Sequence, residues 1–258
     1  MATLLVAGCG GSGSGSCTAR AGSAPGAIDA PADCPVNTVI AVDATGAIAD
    51  KSLAGDVSAA AQRAAEQTIT AGGHLRVFVF AGDANDVEVI YDDDVPTLEQ
   101  SDETRRGPTE QALRNALGSS LDSALGVNRA NLALTRHVRE LTRGGTSDIA
   151  RAVRNGLQTL TPQSGAKAMT LISDGAQASD QLMLAKRVDA GDSSSSLGTK
   201  LGELLGSARG VDVVQAVGLG RLPDHVNESA RRTDKLVQIW KRACEHAGAT
   251  QCATTTEL

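Results

Sequence analysis

A chain of 258 residues, 41% of them apolar, holds enough material for one large domain or two small ones. A formal charge of -6 and only two Phe, one Tyr and one Trp exclude nucleic acid as a partner, because phosphates need a basic face and bases need rings to stack on. No run of about twenty apolar residues is present, so no membrane-spanning helix is predicted.

At the amino end, residues 1–9 read MATLLVAGC. The stretch Leu5-Val6-Ala7-Gly8-Cys9 resembles a bacterial lipoprotein signal, although no basic residue precedes it. That resemblance implies lipidation of Cys9 and anchoring at the extracytoplasmic face of a bacterial cell membrane. Residues 10–35 are rich in Gly, Ser and Ala and read as a flexible tether, which leaves 36–258 as the folded domain. Setting Cys9 aside leaves Cys17, Cys34, Cys244 and Cys252, an even set that forms two disulfides in an oxidising compartment. Pairing 17 with 34 and 244 with 252 is the simplest of three connectivities, with a Cys34–Cys252 clasp as an alternative. None has the C-x-x-C spacing of a zinc site.

From residue 37 the pattern alternates between strand and helix. Residues 38–43 are a buried strand, and 52–70 a helix with Leu53, Val57, Ala61, Ala64 and Thr68 on one face, ended by Gly72 and Gly73. Strands follow at 75–80 (LRVFVF) and 87–91 (VEVIY). The turn between them is too short for a parallel crossover, so they are expected to pair antiparallel. Leu113, Leu117, Leu121 and Leu125 mark a helix opened by Pro108, and a second helical stretch runs to about Leu141. After RGGTSD comes a helix with Ile149, Val153, Leu157 and Leu160 on one face and Thr146 or Ser147 as its expected cap. A strand in 168–175 (AMTLISDG), a helical region interrupted by a loop at 189–198, a strand in 211–220 and a helix lined by Leu236, Ile239, Trp240, Ala243 and Ala247 complete the order. The tail from Thr250 is expected to add a last short strand. The sum is an α/β fold: a doubly wound, mostly parallel sheet with one antiparallel edge strand and helices on both faces.

Two strands of this pattern end on aspartate. Asp43 is followed by Thr45, and Asp174 closes LISDG, while Thr146 sits at a loop-to-helix turn. In an open α/β sheet, loops at the carboxyl ends of the strands converge on one edge. Two carboxylates and two hydroxyls gathered there are hard oxygen donors, suited to Mg²⁺, Mn²⁺ or Ca²⁺ rather than zinc or copper. Other motifs are weaker. DANDVEVIYDDD (83–94) has acidic spacing but carries Glu88 where a calcium loop needs glycine, and the Gly-rich amino end lacks the lysine of a phosphate loop. His74, His137, His225 and His246 show no ligand spacing.

The early hairpin and these three segments resemble a von Willebrand factor type A domain over roughly residues 36–254. That family carries a metal-ion-dependent adhesion site made of an Asp-x-Ser-x-Ser loop, a distant threonine and a second aspartate. Here the first loop reads Asp43-Ala44-Thr45-Gly46-Ala47, the second Gly144-Gly145-Thr146, and Asp174 is the third element. Ala47 stands where the family has its second serine, which makes the site a degenerate one. The resemblance implies a non-catalytic binding module in which an acidic side chain of a protein partner completes the coordination of an ion held by Asp43, Thr45, Thr146 and Asp174. The alternatives are a structural role with no ion and a metal-dependent phosphohydrolase with Asp43 as nucleophile. The last is disfavoured because Thr45 occupies the place of an acid/base carboxylate.

Overall fold

A computed structural model describes residues 17–45, 53–81, 83–96, 110–125, 148–221 and 230–258. The elements in chain order are β1 (Arg20–Ala21), β2 (Ile28–Asp29), β3 (Val36–Asp43), α1 (Ala54–Ala71), β4 (Gly73–Ala81), β5 (Asp83–Val95), α2 (110–125), α3 (Ile149–Leu160), β6 (Ala166–Ile172), α4 (Leu184–Asp189), α5 (Ser194–Leu205), β7 (Val213–Val217), α6 (Ala230–Ala247) and β8 (Gln251–Thr254). Six strands form one sheet in the order β5-β4-β3-β6-β7-β8, and every pair is parallel except β4 with β5. The antiparallel pairing expected from the short turn at 81–86 is therefore present, at the edge of the sheet, with β5 beginning already at Asp83.

Strand alternation sorts the core. Side chains of successive strand residues point to opposite faces. Val39, Ala41, Phe78, Phe80, Met169, Leu171, Val214 and Ala216 share one apolar cluster with α3, α4, α5 and α6. Ile40, Val42, Val77, Val79, Ile172 and Val217 share a second with α1 and α2. Every residue of β3 is buried, as a central strand covered on both faces requires. α1 meets the sheet through Ala60, Ala61, Ala64 and Ala65, and such small side chains let a helix axis approach closely.

A third cluster corrects the sequence reading of residues 10–35. The described part of that stretch, from Cys17 onward, packs on the sheet: Ala19, Ile28 and Cys34 are buried against Val36, Ala166, Ala168 and Val213. The β1–β2 hairpin is pinned by Arg63 Nε donating to the Pro25 carbonyl (2.7 Å) and by buried Gln215 Nε2 donating to the Gly26 carbonyl (2.7 Å). Composition could not reveal this, because Ala and Gly become core residues wherever a partner surface takes them. Two disulfides close the structure, Cys17–Cys34 and Cys244–Cys252. The first ties the hairpin to the root of β3, and the second ties the last turn of α6 to β8. With both cysteines so engaged, the Cys34–Cys252 clasp is excluded.

Smaller corrections concern boundaries. The cap of α3 is Asp148, whose carboxylate accepts from Arg151 N (3.3 Å), rather than Thr146 or Ser147. The break in the later helical region is short, with Ser193 capping α5 through Ser196 N (3.2 Å). The helical stretch expected up to Leu141 lies outside the described residues. No helix among the described residues is long and apolar enough to cross a membrane.

Candidate functional site

The sheet order places β3 between β4 and β6. From β3 the chain moves first to one neighbour and later to the other, so the carboxyl end of β3 lies at the topological switch point where α/β sheets form their crevice. Asp43 is the last residue of β3 and is fully buried. An ionised carboxylate out of water needs compensation, and here the neighbouring loops supply it. Asp43 Oδ1 accepts from Thr45 N (2.9 Å) and from the Thr45 hydroxyl, while Oδ2 accepts from Ser173 Oγ (2.8 Å).

Ser173 follows β6 and is itself fully buried. Its amide donates to the Val217 carbonyl (3.1 Å), which extends the β6–β7 ladder by one rung. Its hydroxyl accepts from Gly175 N (3.0 Å) while donating to Asp43. Asp174, next in the chain, is 8% exposed. Its Oδ1 accepts from Ala176 N (2.8 Å), and its carbonyl accepts from Gly220 N (2.8 Å) beyond β7. Gly175 has φ +77°, the left-handed region, and a Cβ there would lie 2.6 Å from Leu219 and 2.7 Å from the Trp240 ring. Trp240 Nε1 donates to the Gly175 carbonyl (3.0 Å), so α6 buttresses the loop from below.

The same loop reaches sideways to α3. Gln177 is fully buried; its Oε1 accepts from Ala150 N (2.7 Å), and its Nε2 donates to Asp148 Oδ1 (3.1 Å) and Ser179 Oγ (3.0 Å). The loop after β6 thus touches both the end of β3 and the first turn of α3.

Of the residues singled out by sequence, Asp43 and Thr45 are joined directly, and Asp174 stands one residue beyond the serine that binds Asp43. Thr146, Ala47 and Cys9 lie outside the described residues, although Asp148, two positions after Thr146, meets the Asp174 loop through Gln177. Sequence reasoning missed Ser173 and Gln177. A hydroxyl beside a strand-end aspartate was a usable signal for the first. Nothing local marked the second, whose partners Ala150 and Asp148 are 27 and 29 residues away.

Among the described residues no three His, Cys, Asp or Glu side chains group as an ion site. A cation at this rim would rest on two carboxylates and on hydroxyl oxygens instead. The donor chemistry fits that. Thr45 and Ser173 give their protons to Asp43, and a hydroxyl oxygen that donates its proton is a hard donor atom; Ser173 Oγ already accepts from Gly175 N, so Thr45 is the hydroxyl counted among the ion's candidate ligands. Elsewhere, His74 lies between Asp92 and Asp94 at 3.0 Å on each ring nitrogen, and Arg76 pairs with Asp92 at 2.9 Å, an exposed charge cluster on the β4–β5 hairpin.

No family model matches the chain, and no curated protein does. Among solved structures the chain is similar to a crystal structure of the pilus adhesin SpaC from Lactobacillus rhamnosus GG, at 13% identity and a TM-score of 0.44. The alignment covers 93% of this chain and 31% of that one, a likeness too loose to bear on what the rim does.

Proposed function

We propose that this protein is a non-catalytic binding module of von Willebrand factor A type, with a doubly wound sheet, whose Asp43 rim holds a divalent cation and presents it to an acidic group on a protein partner. The observation that carries the reading is Asp43 itself, a fully buried carboxylate at the switch point that takes hydroxyl protons from both Thr45 and Ser173. Asp43, Thr45, Thr146 and Asp174 are the residues that would hold the ion. Bound there, a divalent cation supplies the positive charge that lets a chain of net charge -6 meet a carboxylate on its partner. Ser173 orients Asp43, and the Asp174 loop, fixed by Trp240 and Gly220, carries the second carboxylate. The two disulfides accord with an extracytoplasmic location and with anchoring through Cys9.

Isothermal calorimetry with Mg²⁺, Mn²⁺ and Ca²⁺ tests the reading. Wild type is expected to give binding heat with at least one ion, and Asp43→Asn none, while the thermal midpoint of Asp43→Asn holds or rises because a buried charge has been removed. Silence from wild type with all three ions overturns it. Detergent phase partition of cells expressing wild type or Cys9→Ser tests the anchor, since only wild type should enter the detergent phase.

A metal-free assembly role is favoured by one feature, Ala47, which takes a hydroxyl out of the first loop. Ala47→Ser separates the two. A marked gain in ion affinity supports the adhesion-type site, whereas an unchanged silence supports assembly.

A further inference from the structure

The sheet has two edges, and they are built differently. β5 carries Asp92, Asp93 and Asp94 in a row, and its register against β4 shifts twice. Charges and bulges of that kind keep an edge strand from pairing with a further chain. The opposite edge is β8, Gln251-Cys252-Ala253-Thr254, uncharged and in continuous register with β7. Gln251 N donates to the Asp212 carbonyl (2.9 Å) and Thr255 N to the Ala216 carbonyl (3.0 Å). Successive residues of a strand turn their N–H and C=O groups to opposite sides in the plane of the sheet, so Gln251, Ala253 and Thr255 bond to β7. The N–H and C=O of Cys252 and Thr254 point outward, and among the described residues no strand pairs with them.

This edge is held in place before anything docks on it. Cys252 is joined to Cys244 in α6, Arg221 Nε donates to the Thr256 carbonyl (2.9 Å), and Gly218 N donates to the Glu257 carbonyl (2.9 Å). On the side of the β1–β2 hairpin, Gln251 Oε1 accepts from Ala21 N (3.0 Å). A cavity of about 150 Å³ opens there along the strand, with Gly22, Pro25, Gln215, Val217, Ala253 and Thr255 among its walls. Gln215 is 3% exposed; its Nε2 donates to the Gly26 carbonyl (2.7 Å) and to Thr170 Oγ1 (2.9 Å), whereas its Oε1 accepts from no described donor. We infer that β8 is a docking edge for an extended segment of a protein partner, which adds a seventh strand to the sheet and places one small hydroxyl side chain, serine or threonine, in the cavity against Gln215 Oε1. Main-chain bonds supply the affinity and the cavity selects the side chain. A second copy of this chain is disfavoured as the occupant. Two chains of net charge -6 repel, and so short an edge leaves most of the about 1,200 Å² of a stable interface to other surfaces. β8 stands three strands from β3, roughly 14 Å away, so this docking is independent of an ion at the Asp43 rim.

The probe is the blocked peptide acetyl-Ser-Val-Thr-Val-Ser-amide, titrated into the full chain and followed by amide NMR spectra. Before peptide is added, hydrogen exchange is expected to be fast at Cys252 and Thr254 and slow at Ala253 and Thr255. The peptide should then shift the Cys252 and Thr254 signals with a Kd of about 1 mM or below, equally with and without EDTA. Thr254→Pro removes an outward N–H that bonds nothing in the fold, a change an edge strand tolerates. It is expected to weaken the peptide about tenfold while leaving the urea midpoint unchanged. A peptide with Trp in place of its central Thr, too large for the cavity, should weaken similarly. No shift up to about 10 mM peptide, shifts away from β8 and the cavity, or equal affinity in Thr254→Pro each overturn the proposal. Loss of the shifts in EDTA would move the site to the rim and overturn it as well. Slow exchange at Cys252 and Thr254 in the free protein would show an edge already paired, and its dependence on protein concentration would make a second copy the occupant in place of the peptide.

Discussion

The two ends of the central sheet bury polar side chains of different kinds. At the amino end they are neutral. Asn37 donates to the Ser164 and Ala166 carbonyls (2.6 and 3.2 Å) and accepts from His74 N (3.0 Å), and Thr68 donates to the Val36 carbonyl (2.8 Å) and meets Thr38 at 2.8 Å. Those groups do what buried amides and hydroxyls do in any well-made core: they satisfy backbone groups where strands begin. At the carboxyl end, beside the neutral Ser173 and Gln177, two of the buried side chains are acids, Asp43 and Asp174. A neutral side chain could close those loops at lower cost in desolvation, since burying a carboxylate is opposed by several kcal/mol on the usual estimates. On the proposed function, that cost is met because the ion needs the acid.

Substitutions sharpen that contrast, beginning with the largest effect. Asn37→Ala strands two carbonyls and one amide at the amino end, and is expected to lower unfolding free energy by about 3 kcal/mol, measured by urea titration, with ion affinity intact. A loss of ion binding there would show that the ends are not independent.

Gly175→Ala acts at the other end. It places a Cβ against Leu219 and Trp240 on a left-handed backbone, with an expected cost of about 2 kcal/mol and, unlike Asn37→Ala, a concurrent fall in ion affinity. Retained affinity would mean that the loop's shape does not matter to the rim.

The smallest effect is expected from a charge that belongs to neither end. Arg114, between α1 and α2, donates to both carboxylate oxygens of Glu66 and holds that carboxyl below its ordinary value of 4.5. A depressed acid stabilises the fold above its unfolded pKa and loses that contribution as pH falls through the folded one. Arg114→Ala should therefore cost about 0.5 kcal/mol at pH 7, where the half-exposed pair is screened by solvent, and less at pH 3 as the carboxyl takes up its proton. An equal cost at both pH values would assign the effect to packing of the arginine stem.

How far the sequence reached follows from what kind of property each feature is. The Leu113–Leu125 spacing and the β3 run announced their elements because periodicity is local, and the short turn at 81–86 forced an antiparallel hairpin because no crossover fits in it. The amino-terminal segment misled because its small residues carry no periodic signal, and only contact with Val36, Ala168 and Val213 makes them core. At the rim, Asp43 and Asp174 were legible as acids at strand ends, where an apolar run stops on a charge.

By itself, then, the sequence determined most of the described elements from β3 onward, the parallel character of most of the sheet and the two aspartates, all of which follow from the chain's own short-range pattern. Only tertiary structure decided that β6 lies beside β3, that Ser173 reaches Asp43 across 130 residues, and that Gln177 joins the Asp174 loop to α3. Those depend on which surfaces bury each other once the loops close, and a hydrogen bond between distant residues leaves no spacing in the chain that foretells it.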